Sequence, residues 1–150
     1  RVSGVAAGMA AVAMLCSQPA LAAPMSKAEK LRRLDIMLMV TGLRCRTTAD
    51  NFQADYGRFT TRHIATLNGA SDALKTELAA RHGAGGASRA LDKLSVTLAH
   101  AFGQGHPWLN CAQLKQVARG LADARGDAPL VAAADQLLAS TGSPQFAWAR

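Results

Sequence analysis

Aromatic side chains are scarce in this chain: one tyrosine, two tryptophans and four phenylalanines make up 5% of 150 residues. Runs of valine, isoleucine and threonine long enough to make a strand are missing, while alanine and leucine recur throughout. Both absences argue against a sheet and for helices. Acids are also few. Ten aspartates and glutamates stand against 17 lysines and arginines, a net charge of +7. The two glutamates, Glu29 and Glu77, do not stand three residues before a histidine. That excludes the Glu-x-x-His pairs of a di-iron bundle. The cysteines, Cys16, Cys45 and Cys111, never occur as Cys-x-x-Cys, so neither haem attachment nor a thioredoxin-like redox pair is written here. No two histidines are four apart, as helix-borne zinc ligands would be. Gly-x-Ser-x-Gly is absent, and the glycines of Gly83-Ala84-Gly85-Gly86 are not followed by the Lys-Ser/Thr of a phosphate loop. The ten carboxylates nominate no acid–base pair.

What is present begins with an export pattern. Arg1 precedes an apolar run, Val5 to Cys16, and Pro19-Ala20-Leu21-Ala22 ends in the small-x-small pattern of a cleavage site. Residues 1–22 therefore read as a signal peptide, with a single helical domain over 23–150. The run is too short for a stable span, so no membrane anchor is expected after cleavage. Export is to the periplasm or beyond, an oxidising setting. Cys16 leaves with the leader, and Cys45 and Cys111 remain as a pair. A structural disulfide is the default reading. It would close a loop of roughly 66 residues, worth about 4 kcal/mol in the chain-entropy model.

Hydrophobic periodicity then lays out the helices. Ser26 and Glu29 form a capping-box pattern ahead of a helix over 27–44. Its apolar residues, Leu31 to Leu43, spread most of the way round, which predicts a central, multiply packed helix. Thr48 or Asp50 is the expected cap of a second helix over 51–67, resuming to 80. Phe52, Tyr56, Phe59, His63 and Leu67 form its stripe, and Asn68-Gly69 is its weak point. Arg81 to Ala87 reads as a flexible connector. Ser88 caps a helix over 89–102, and Pro107 suits the first turn of the next, which carries Cys111, Leu114 and Leu121. A last helix covers 128–139, followed by a tail with Phe146 and Trp148. The expected fold is all-α: a compact bundle of four to five helices with one disulfide.

Candidate binding residues are drawn from what the helices expose. Arg32, Arg33, Arg44, Arg46, Arg58 and Arg62 gather near the first helix junction, and Arg58 and Arg62, four apart, share one face. They read either as a solvated surface or as a site for an anionic partner. His63 reads as a histidine packed between Phe59 and Leu67, or as a ligand. His100 and His106 flank a turn beside Trp108, which reads as a structural corner or as the lining of a small pocket. No catalytic residue, metal ligand or cofactor is nominated. No nucleic-acid reader motif is present.

The runs LDIMLMVTGLRCRTTADNFQADYGRF and HPWLNCAQLK resemble a group of small exported proteins of alphaproteobacteria, over most of 31–121. Both retained cysteines fall inside them. Some members carry an S-adenosyl-homocysteine hydrolase label. These residues give it no support, because that enzyme is built on a dinucleotide-binding Gly-x-Gly-x-x-Gly turn, absent here. The resemblance implies export and carries no catalytic residues with it.

Taken together, the sequence describes an exported, disulfide-stapled helical protein that binds or scaffolds an anionic envelope component or a protein partner. The alternative is a bundle that holds a small ligand or metal through its histidines; an enzyme ranks last.

Overall fold

A computed structural model describes residues 24–139. The signal-peptide pattern over 1–22, with Cys16, and the tail aromatics Phe146 and Trp148 lie outside the described residues. The chain forms α1 (Lys27–Cys45), α2 (Gln53–Arg62), α3 (Ile64–His82), α4 (Ala84–Phe102), α5 (Cys111–Asp123) and α6 (Ala128–Leu137). No strand occurs among the described residues.

Helix α1 packs against all five others. Ser26 starts it: the hydroxyl accepts from the Glu29 amide at 3.1 Å, satisfying one orphan donor. The glutamate half of the expected box is diverted, since Glu29 pairs with Arg33 at 2.7 Å. Leu31, Leu34, Ile36, Met37 and Leu38 are buried in α1. Thr41 is buried there too, with its hydroxyl donating to the Met37 carbonyl at 2.7 Å. Helix α3 runs antiparallel to α1, with Ser26 donating to Glu77 near the α3 C-terminus at 2.7 Å. Helix α4 folds back on α3, and α5 returns beside α2. At its start α6 is tied to α1 through Lys27–Asp127, and farther along through Lys30–Asp135 at 2.6 Å.

Among the described residues six helices replace the expected four to five, because the second helix is really two. The break is at His63, not at Asn68-Gly69. His63 leaves helical geometry (φ −107°, ψ 19°), and its ring reaches Leu121 on α5. Helix α3 then runs without interruption through residues 68–69. A Cβ at Gly69 would meet nothing within 4 Å, so this glycine costs helix propensity, about 1 kcal/mol against alanine, without disturbing packing.

The expected flexible connector is instead a one-residue corner. Gly83, at φ +75°, alone separates α3 from α4, a conformation that suits glycine. Gly85 and Gly86 are already helical. A Cβ at Gly86 would approach the His82 Cβ to 3.0 Å, so the tight corner selects glycine there. Ser88 consequently lies inside α4 rather than capping it. Neither Thr48 nor Asp50 caps α2, whose N-cap position is Phe52. Asn51 accepts from the Gln53 amide before α2, while Thr48 closes the preceding turn onto Cys45. Asn110 and Gln113 form a complete capping box on α5, with Pro107 in the turn before it.

Cys45 and Cys111 form a disulfide with Cα atoms 5.7 Å apart, joining the end of α1 to the start of α5 across 66 residues. Replacing both by serine is expected to lower stability by roughly 4 kcal/mol, read as a fall in the urea midpoint. Adding reductant to the wild type should give the same fall, and the midpoint of the double variant should not respond to it.

Candidate functional site

The aromatic stripe of α2 determines which of its residues face out. Phe52 and Phe59 are fully buried, and Asp55 on the same side is buried with them. The carboxylate of Asp55 accepts from Arg119 Nε on α5 at 3.3 Å. One helix turn farther, Arg58 Nη2 donates to Asp123 at 3.0 Å. These two links hold α2 alongside α5. The faces they leave outward enclose a shallow groove of about 580 Å³, lined by Ala54, Gly57, Arg58, Thr61, Arg62, Ala122 and Asp123. Its floor is low because Gly57 has no side chain and Ala54 and Ala122 have small ones.

The structure therefore brings Arg58 and Arg62 to one groove. Arg62 has no ion pair among the described residues. Arg58 has one, but its side chain is 56% exposed and that of Asp123 is 78% exposed. Exposed pairs of this kind contribute about 0–1 kcal/mol, so the arginine can exchange partners at small cost.

The histidines sit elsewhere. His63 is buried at the break between α2 and α3, and its Nε2 donates to the Leu121 carbonyl at 2.8 Å. Its ring packs 5.5 Å from that of Phe59. His106 is also buried, between Phe102 (ring centroids 5.7 Å apart) and Trp108 (4.5 Å, edge-on). Both its nitrogens are engaged: Nε2 donates to Leu137 O at 2.9 Å, and Nδ1 accepts from the Trp108 amide at 3.4 Å. This arrangement requires the neutral ring. Burial pushes the His106 pKa below its ordinary value, and the bond to Leu137 opposes the shift only in part. His100 is exposed on the last turn of α4. The three predicted corner residues are thus split: His106 and Trp108 meet, and His100 stands outside. Among the described residues no group of three or more His, Cys, Asp or Glu is placed to hold a metal ion.

A second polar cluster escaped the sequence reading. The Tyr56 hydroxyl donates to Asp35 at 2.8 Å, and Arg32 pairs with the other oxygen at 3.3 Å. Burial raises the Asp35 pKa against the opposing pull of Tyr56 and Arg32. Burial, reinforced by the Asp35 charge, raises that of Tyr56. The cluster locks α1 to α2. Its signal was available: Tyr56 carries the one hydroxyl in the stripe of α2, and a half-buried hydroxyl needs a partner.

No family model, curated protein or solved structure matches the chain.

The His106 geometry gives a pH dependence of defined sign. The unfolded chain binds a proton at this ring more readily than the folded one does. Stability is therefore complete above the ordinary histidine value of 6.5 and falls as the pH is lowered through it. Urea midpoints between about pH 7 and about pH 5 should decline for the wild type, and the slope should be shallower for His106→Gln.

Proposed function

We propose that the protein is exported to the periplasm and binds or scaffolds an anionic envelope component through the groove between α2 and α5. The observation that carries this reading is the pairing of Arg58 and Arg62 on one open groove whose acid, Asp123, is the more exposed partner of a weak ion pair. An anionic group entering the groove would meet two guanidiniums, each able to offer a forked pair of donors. It would displace a carboxylate that returns to water at little cost.

The alternative, a small-ligand or metal site at the histidines, draws less support. Both nitrogens of His106 and one of His63 are engaged by the backbone. Export is supported by the leader pattern in the sequence and by a disulfide that suits an oxidising compartment. The likeness to small exported alphaproteobacterial proteins points the same way.

The test is capture from envelope extract, with the bound species identified by mass. Binding should weaken as salt rises, since exposed charges are screened over about 8–10 Å. Arg58→Glu with Arg62→Glu should reduce it by roughly tenfold or more. Asp123→Asn should act in the opposite direction and strengthen it. Capture indifferent to both changes would overturn the assignment of this groove.

A further inference from the structure

Helix α6 is the least integrated of the helices. It packs on α1 and on no other helix to a comparable extent. At ten residues it is shorter than the ~12–15 that an isolated helix needs to persist in water. Its buried side, Leu130, Ala134 and Leu137, therefore depends on what holds the helix down. At its start the anchor is Lys27–Asp127. Along its length there is Lys30–Asp135, a pair whose acid is 51% exposed, of the kind that contributes little. At its end the anchor is His106, whose Nε2 donates to the carbonyl of Leu137, the last residue of the helix.

The second nitrogen of that ring makes the end anchor conditional. Nδ1 accepts from the Trp108 amide at 3.4 Å. A proton placed on Nδ1 would set two N–H donors against each other and put a charge between the rings of Phe102 and Trp108. The charged or titratable groups nearest along the surrounding elements are His100 on α4, Lys115 on α5, Asp135 on α6, and Arg44 and Arg46 at the end of α1, which border a groove with Gly103. None of them enters the titration of His106. It is governed by burial, which lowers the pKa, and by the Leu137 carbonyl, which raises it in smaller measure. The anchor at the start of α6 behaves differently. The hydrogen bond from Lys27 holds Asp127 below its ordinary value of 3.8, so that pair keeps its charges while a histidine titrates. His63 grips the Leu121 carbonyl of α5 in a similar way, but α5 is also held by the disulfide and by Asp55–Arg119. Only α6 has an end that depends on one imidazole.

We propose that His106 is a pH-operated latch on α6. With the ring neutral, the C-terminal end of α6 is held to the turn before α5; with the ring protonated, that end lifts from α1 while the other five helices stay folded. Acid thus uncovers Ala134 and Leu137 without unfolding the molecule. This does not rest on the α2–α5 groove, which uses other residues.

The experiment is amide hydrogen exchange of the full chain, disulfide intact, followed by NMR and expressed as protection factors so that the intrinsic effect of pH is removed. Between about pH 7 and about pH 5, protection of the amides of Ala134 to Leu138 is expected to fall by roughly tenfold or more, while that of α3 and α5 holds. The fall should follow the protonation of the His106 ring, read from its own NMR signals, and not that of the exposed His82 and His100. In His106→Gln, which offers a donor and an acceptor that do not titrate, protection of α6 should be independent of pH. Should that variant not fold, the wild-type titration decides. Protection in α6 that ignores pH, or that falls together with α3 and α5, would overturn the proposal. So would a pH response that survives in His106→Gln.

Discussion

Five helices bury their apolar faces against one, and that shared surface governs the rest of the molecule. A helix packed on several sides cannot follow the usual half-polar pattern. Helix α1 therefore carries Leu31, Leu34, Ile36, Met37 and Leu38 in eight consecutive positions, all buried. The polar group admitted to its buried side, the Thr41 hydroxyl, returns its hydrogen bond to the backbone of its own helix. Gly42 serves the same packing: a Cβ there would lie 3.3 Å from the Phe52 ring, so its absence lets the start of α2 close on α1. Cys45 follows within the same turn, and the disulfide fixes α5 where that packing has already brought it.

The features legible in the sequence were those determined by α1 and by local chemistry. Its all-round apolar character announced a central helix, Ser26 announced where it begins, and the cysteine pair follows from their number and setting. What could not be read were the corners. Asn68-Gly69 resembled a break because both residues have poor helix propensity, yet propensity is a weak prior and α3 gains enough packing on α1 and α4 to run through it. The true break at His63 carries no breaker residue. It arises where the chain leaves α5 and turns along α1, and the histidine ring holds it by reaching a carbonyl 58 residues away. A contact of that range leaves no trace in a local window. The glycines at 83–86 were visible, but which of them bends and which merely admits a close neighbour depends on how tightly two helices meet.

The candidate site was legible to the same degree. Spacing alone put Arg58 and Arg62 on one face, and that face proved to be open. Spacing could not show that Asp123, from α5, would share the groove. Nor could it separate His100 from His106: six residues apart, one ends a helix in solvent while the other is closed between two aromatic rings. The exposed stripe of α1 was hidden for a different reason. Met39 and Leu43 read as core because their helix is core, and only the arrangement of neighbouring helices leaves that stripe uncovered.

Charge is distributed by the same packing. Acidic side chains are short, so those that bridge helices sit close to the contact, whereas arginines reach in from the rim with their heads in water. Asp55 is 12% exposed and its partner Arg119 is 57% exposed; Asp35 and Glu29 are likewise more buried than Arg32 and Arg33. Neutralising pairs therefore withdraw negative charge from the surface more than positive charge, and the outer face is more cationic than the formal balance indicates. The remaining unpaired cations are then read by a partner against few opposing acids. Asp135 and Asp123 are exceptions, carboxylates left outside their cations, and Asp123 stands where two arginines share a groove. A competing anion there replaces one exposed carboxylate with another negative group, an exchange that leaves the buried links of α2 to α1 and α5 untouched.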